Sequence, residues 1–113
     1  SITDKKQEDI AIISLNGFLD AHTSNILEKK FEELLSSGNY KIVVDFSGLT
    51  YISSAGLGVF MAYIENMRNN GGDIKLCSMS DKIFNIFDML GFPVLFNITI
   101  NENEAVTKFN QAD

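Results

Sequence analysis

Hydrophobic residues along this chain follow two spacings, one typical of strands and one typical of helices. Four short apolar segments, rich in β-branched and aromatic residues, have the composition of strands. They are residues 10–15, 41–46, 73–78 and 95–100. The second of them, KIVVDF, is almost continuously apolar, as in a strand that is covered on both faces. We therefore expect residues 41–46 to lie at the centre of a sheet.

Between and after these segments, apolar residues recur every three or four positions, as on one face of an amphipathic helix. The four predicted helices contain Leu27 to Leu35, Leu57 to Met67, Ile83 to Leu90, and Ala105 to Phe109. Ser80 precedes the third helix and Asn101 the fourth, each at a position suited to an N-cap. Strands that alternate with helices need crossover connections and form parallel sheets. The predicted fold class is α/β, with four or five mostly parallel strands and about four helices.

Two segments near the N-terminus have weaker patterns. Residues 2–8 are compatible with a polar edge strand that turns at Glu8 and Asp9 to pair with residues 10–15. Asn16-Gly17 is a frequent hairpin dipeptide, but the residues after it are too few and too soon interrupted to form a second strand. We interpret Asn16-Gly17 as a kink that leads into a loop.

Composition limits the classes of function. The 113 residues suit one domain spanning 1–113, and the net charge of −6 without a basic stripe disfavours nucleic-acid binding. No apolar run approaches the roughly 20 residues of a membrane-spanning helix, so no membrane partner is expected. The single cysteine, Cys77, lies in a predicted strand and is interpreted as a packed core thiol. A single cysteine cannot form a disulfide within the chain, which fits a reducing, cytoplasmic location.

The sequence offers little that could support catalysis. The only histidine, His22, would have to serve as general base, and the nucleophile motif G-x-S-x-G is broken because Ile52 occupies the first glycine position. One histidine and one cysteine, without clustered carboxylates, match no metal-ligand spacing. The glycines near Ser54 have neither the spacing nor the lysine of a nucleotide-binding loop. We predict no catalytic residue, no metal, no cofactor and no enzymatic activity.

The stretch TYISSAGLGVF, residues 50–60, raises the main question of the sequence. Ser53 or Ser54 is expected to cap the second predicted helix, a contribution of about 1 kcal/mol. Gly56 and Gly58 then weaken the first turns, because each glycine in a helix costs roughly 0.5–1 kcal/mol relative to alanine. Two explanations are open and compatible: the glycines allow close packing on the sheet, or they leave the helix N-terminus bare for another molecule.

A bare helix N-terminus that carries a hydroxyl group is a suitable place for a phosphate. Phosphorylation would add roughly two negative charges beside backbone N–H groups that favour anions, so the fold should tolerate it. A partner bound to the uncharged surface would instead meet charge and bulk. The segment thus predicts a binding switch that requires no large refolding.

The residues that suggest this switch also resemble a known family. VVDFSGLTYISSAGLGVF resembles the signature of STAS domains, specifically the bacterial anti-sigma factor antagonists. LNGFLDAHTSNIL, residues 15–27, is similar to the family segment with an L-x-G-x-L-D core, and GGDIKLC and IFDMLGF fit its later strand and helix. The resemblance covers essentially the whole chain and implies a STAS fold with an N-terminal edge strand.

The resemblance also implies a function and a set of residues. Family members bind an anti-sigma factor that is also a serine/threonine kinase and so free a sigma factor; phosphorylation releases them and a serine phosphatase restores them. The family's phosphoacceptor corresponds to Ser54. Many members have Asp immediately before the acceptor, where this chain has Ser53, which makes Ser53 the second candidate. The implied partner-binding residues are Asp20, Thr23, Ser53, Gly56, Leu57 and Gly58.

Two other functions are compatible with the same helix N-terminus. The domain could be a sensor of a small ligand or nucleotide, or a constitutive signalling scaffold that is not phosphorylated. Partner binding, compared with thermal shifts caused by nucleotides, distinguishes these possibilities from the switch.

Overall fold

The computed structural model describes residues 1–111, which form five strands and five helices. The strands are β1 (Ile2–Gln7), β2 (Ile10–Leu19), β3 (Lys41–Ile52), β4 (Asp73–Cys77) and β5 (Ile98–Thr99). The helices are α1 (Ala21–Ser36), α2 (Ser54–Asn69), α3 (Asp81–Met89), α4 (Phe92–Leu95) and α5 (Glu102–Asn110). The order of strands and helices along the chain confirms the predicted α/β class.

The five strands form one sheet in the order β1-β2-β3-β4-β5. β1 pairs with β2 antiparallel, while the other three pairings are parallel. β3 lies in the centre, as its apolar sequence predicted, and Ile42 to Phe46 are all buried. The suggested N-terminal edge strand is also confirmed: Ile2–Gln7 turns onto β2 at Glu8, whose φ of 59° is left-handed.

Helices cover the two faces of the sheet unequally. α1, α2 and α3 pack on one face, where their buried residues join the main core with the inward residues of the strands. The Phe60 ring is central there, with its centroid 6.0 Å from that of Phe31, 5.6 Å from Phe46 and 6.3 Å from Phe87. α5 covers the other face through Ala105 and Val106. This arrangement fixes where α1 and α2 begin relative to the sheet.

The prediction of a loop after Asn16-Gly17 was wrong. β2 continues to Leu19 and β3 to Ile52, and the two strands stay paired although their register shifts near Gly17. Gly17 has a φ of +82°, a conformation that glycine adopts without strain, so the strand bends here instead of ending. The Thr50 hydroxyl also donates to the Gly17 carbonyl at 3.1 Å. Because β4 pairing stops at Asp45, residues 46–52 of β3 extend beyond β4 with β2 as their partner.

The predicted strand at residues 95–100 is largely wrong. Only Ile98–Thr99 is a strand, and Phe92–Leu95 is a short helix that raises the number of helices from about four to five. The Phe92 and Phe96 rings stack at 5.4 Å between centroids, and both side chains are buried. Residues four apart in a strand would be roughly 13 Å apart. A helical turn is therefore what places both rings in the core.

One buried polar atom gives a stability prediction. The Ser24 hydroxyl of α1 is buried and has no hydrogen-bond partner among the described residues. Ser24→Ala removes that hydroxyl and improves helix propensity. We therefore expect it to raise the free energy of unfolding by about 1 kcal/mol. Thermal and urea unfolding measure the change. The exposed Ser36→Ala is the control, with a smaller gain of about 0.5 kcal/mol or less; destabilisation by Ser24→Ala would show that the hydroxyl has a partner.

Candidate functional site

The predicted site residues lie at one edge of the sheet, where β2 and β3 end and α1 and α2 begin. Leu19 and Ile52 pair at the carboxyl ends of the two parallel strands. Asp20 and Ser53 follow them directly as the N-caps of α1 and α2. In open α/β sheets, the carboxyl ends of parallel strands are the usual location of binding sites. The register of β2 and β3 therefore brings together two segments that are far apart in sequence.

Asp20 and Thr23 form a capping box rather than the loop that the sequence suggested. Asp20 Oδ1 accepts from the backbone N–H of His22 at 3.1 Å and of Thr23 at 3.0 Å, while Thr23 Oγ1 accepts from the Asp20 backbone N–H at 2.9 Å. The backbone N–H of Thr23 and then its hydroxyl are the main causes that lower the pKa of Asp20. Asp20 thus places a fixed, ionised carboxylate at this edge. The D-x-x-T spacing was the available sequence signal for the cap.

The structure assigns different environments to the two serines. Ser53 is partly buried and is the N-cap of α2: its hydroxyl donates to the Leu19 carbonyl at 3.0 Å and accepts from the Gly56 N–H at 3.3 Å. Ser54 is the first residue of α2 and is exposed to solvent. The capping function that the sequence could assign to either serine belongs to Ser53, so the Ser54 hydroxyl is not required for the cap.

The two glycines of α2 have separate roles. A methyl group on Gly56 would lie 2.9 Å from Leu19 Cδ2 and 3.1 Å from Ile52 Cγ1, so this glycine allows α2 to pack closely on the sheet. A methyl group on Gly58 would meet nothing within 4 Å, and this residue is exposed. Leu57, between them, is partly buried against the main core. The packing explanation is therefore correct for Gly56, and the open space at Gly58 is compatible with the second explanation.

This difference predicts opposite effects of alanine on stability. Gly56→Ala should lower the free energy of unfolding by about 1–3 kcal/mol, because Leu19 or the helix must move. Gly58→Ala should raise it by roughly 0.5–1 kcal/mol, because only helix propensity changes. Urea unfolding followed by circular dichroism measures both, with each variant as the other's control. Equal losses of stability in both variants would contradict the assignment.

An exposed aromatic pair at the same edge was not predicted from the sequence. Phe18 of β2 pairs with Tyr51 of β3. Their ring centroids are 6.1 Å apart, and the ring planes are at 89° to each other. The side chains are 62% and 48% exposed, and with Thr50, Asp20 and Lys82 they line a shallow, open depression. Only the continued pairing of β2 and β3 places these rings together. The sequence pattern predicted a loop after Gly17 and therefore did not include this pairing.

Cys77 and His22 lie in different environments. Cys77 is fully buried against α5, and this burial raises the pKa of its thiol to about 11, which confirms the core interpretation. His22 is exposed in the first turn of α1. Within residues 1–111, no three side chains of His, Cys, Asp or Glu are placed to hold a metal ion. None of the described helices has the length and apolarity to cross a membrane.

Comparison with known proteins identifies the family to which this architecture belongs. The sequence matches the STAS domain family over residues 1–105. The chain is a STAS domain. BtrV of Bordetella bronchiseptica, which bears the name of a candidate anti-sigma factor antagonist, is 27% identical to this STAS domain over 98% of the chain and 96% of BtrV. The anti-sigma F factor antagonist of Paenibacillus polymyxa is 28% identical over 88% of the chain and 86% of the relative.

A solved structure extends the likeness to the fold. The Bacillus cell fate determinant SpoIIAA in its phosphorylated form superposes on this STAS domain with a TM-score of 0.77. The match covers 96% of this chain and 99% of the other, at 20% sequence identity. At that identity the likeness concerns the fold, which is the STAS fold that the motifs of the sequence implied.

Proposed function

We propose that this STAS domain is an anti-sigma factor antagonist whose binding is switched by phosphorylation of Ser54. It binds an anti-sigma factor with serine/threonine kinase activity and thereby frees a sigma factor for transcription. The proposal places the domain in the bacterial cytoplasm, as a binding regulator rather than an enzyme. Membership of the STAS family and the names of the two relatives support it.

The contrast between the two serines is the observation that carries the proposal. The Ser53 hydroxyl already donates to the Leu19 carbonyl in a partly buried position, and a phosphate on it would lose that donated bond. Ser54 is exposed one residue later, where a kinase can reach its hydroxyl without disturbing the cap. A protein of the same fold, SpoIIAA, exists in a phosphorylated form. Ser54 is therefore the proposed acceptor and Ser53 the second candidate.

The proposed reaction is performed by the partner, not by this domain. The kinase transfers the γ-phosphoryl group of ATP to Ser54 Oγ, which loses its proton, and ADP is the other product. The first turn of α2 contains no acidic residue, so the phosphate becomes the first negative side-chain charge at a helix end that favours anions. A serine phosphatase reverses the step by hydrolysis. The fold should thus remain intact in both states.

The surface around Ser54 accounts for the effect of the phosphate on binding. Gly58 leaves open space on α2, and Leu57 lies partly buried beside it, so an uncharged partner surface can approach the first turns closely. The Asp20 carboxylate and its partner Thr23 lie at the start of α1, at the same edge of the sheet. A phosphate on Ser54 adds charge and volume where the partner would lie, and desolvating that charge is costly. Phosphorylation is therefore expected to release the partner.

A binding experiment tests the proposed function. Each anti-sigma factor that contains a serine kinase domain in the source genome is purified and mixed with this domain in ADP and then in ATP. We expect a stable complex with one of them in ADP, and in ATP the release of a domain whose intact mass has gained one phosphoryl group. Binding to none of these kinases, together with a thermal shift caused by a nucleotide alone, would favour a ligand sensor. Stable binding that ATP does not change would favour a constitutive scaffold.

A further inference from the structure

We propose that the exposed Phe18–Tyr51 pair is the docking anchor for the kinase partner, separate from the phosphoacceptor that the partner modifies. This inference rests on the proposed function and assigns two residues that are not among the partner-binding residues implied by the family resemblance. It is carried by the geometry of residues 46–52 of β3 and their partner β2, which extend past the end of β4.

The pair has the properties of an interface anchor rather than of a core contact. The two rings make an edge-to-face contact, yet Phe18 is 62% and Tyr51 48% exposed, so much apolar area stays in water. Aromatic side chains dominate binding energy at protein interfaces because they bury a large area for few rotatable bonds. Here the edge-to-face contact and the backbone pairing already restrict both rings. Little side-chain freedom remains to be lost on binding.

The pair lies two residues before the N-caps of α1 and α2, near the edge of the sheet at which Ser54 lies. Tyr51 is separated from Ser53 by Ile52 alone, and Phe18 is separated from Asp20 by Leu19 alone. Leu19 and Ile52 pair directly, and the Ser53 backbone N–H donates to the Leu19 carbonyl at 2.9 Å. A partner that reaches Ser54 at the start of α2 therefore approaches the same end of β2 and β3 at which the aromatic pair lies.

The shape and charge of the depression indicate what kind of partner fits. The depression lined by Phe18, Tyr51, Thr50, Asp20 and Lys82 is shallow and open, so a small molecule would remain largely in solvent. An aliphatic side chain that projects from a protein surface can instead contact both rings. The net charge of −6 favours a partner whose surface is basic overall, while the depression itself is lined by one acid, Asp20, and one base, Lys82. We therefore assign the depression to the kinase, through an apolar side chain that contacts both rings.

The test compares truncation of the two rings with truncation of two apolar residues that are even more exposed. Phe18→Ala and Tyr51→Ala should each weaken binding to the purified kinase in ADP by at least tenfold, measured by calorimetry. Val94→Ala and Ile100→Ala, at positions 89% and 80% exposed, should stay within about twofold of the unsubstituted domain. Tyr51→Phe keeps the ring and should retain binding. Circular dichroism and thermal unfolding show whether each variant is folded.

A second measurement separates docking from phosphorylation. At kinase concentrations high enough to saturate the weakened complex, Phe18→Ala and Tyr51→Ala should still receive one phosphoryl group on Ser54. If both bind as tightly as the unsubstituted domain while Ser54 is phosphorylated normally, the docking inference is wrong and the proposed function stands. If the unsubstituted domain binds no such kinase, the proposed function is wrong and the docking inference falls with it. Equal weakening by Val94→Ala and Ile100→Ala would also overturn the assignment.

Discussion

Ser54→Ala is expected to abolish phosphorylation and to keep the domain bound to its kinase partner in ATP. The substitution removes an exposed hydroxyl that makes no part of the α2 cap, so the free energy of unfolding should change by less than about 0.5 kcal/mol. Intact mass after incubation with kinase and ATP measures the modification, and gel filtration of the same mixture measures release.

Ser53→Ala is the matched control for that experiment. It removes the hydroxyl that accepts from the Gly56 N–H, and the lost cap should cost about 1 kcal/mol of stability. It leaves Ser54 in place, so phosphorylation and release by ATP should both persist. If Ser54→Ala is phosphorylated and Ser53→Ala is not, Ser53 is the phosphorylated residue that controls binding. In that case, phosphorylation would have to remove the hydrogen bond from the Ser53 hydroxyl to the Leu19 carbonyl.

Ser54→Asp is expected to fold normally and to bind the kinase at least tenfold more weakly, a loss of about 1.4 kcal/mol or more. An acidic residue in the first turn of a helix is favourable by roughly 0.3–1 kcal/mol, so the thermal midpoint should stay constant or rise. The loss of affinity comes from placing a carboxylate in the contact with the partner, where it is partly desolvated. Calorimetric titration in ADP measures the affinity without interference from phosphorylation.

Ser54→Asn separates the effect of charge from that of size. Asn has nearly the same shape as Asp but no charge, and it is also accepted near helix N-termini. We expect its affinity for the kinase to be within a few-fold of that of Ser54→Ala and well above that of Ser54→Asp. Equal affinities of the Asp and Asn variants would show that bulk rather than charge governs release. Affinities of all three variants equal to that of the unsubstituted domain would remove Ser54 from the interface.

Local sequence signals determined the starts of α3 and α5 and most of the strands. Ser80 caps α3 through a bond from the Ile83 N–H at 3.2 Å, and Asn101 caps α5 through one from the Glu104 N–H at 2.9 Å, as their positions predicted. The apolar run in β3 correctly placed that strand in the centre of the sheet. These features could be predicted because a cap or a covered strand depends on residues close together in the chain.

Contacts between distant segments determined the rest. The sequence allowed Ser53 or Ser54 to be the cap and left two roles open for the glycines. The packing of α2 against Leu19 and Ile52 decided both questions, because it engages the Ser53 hydroxyl and leaves no room for a side chain at Gly56. Likewise, nothing local joins Phe18 to Tyr51. Their contact exists only because β2 and β3 remain paired beyond the bend at Gly17, and such pairing depends on register across the sheet rather than on neighbouring residues.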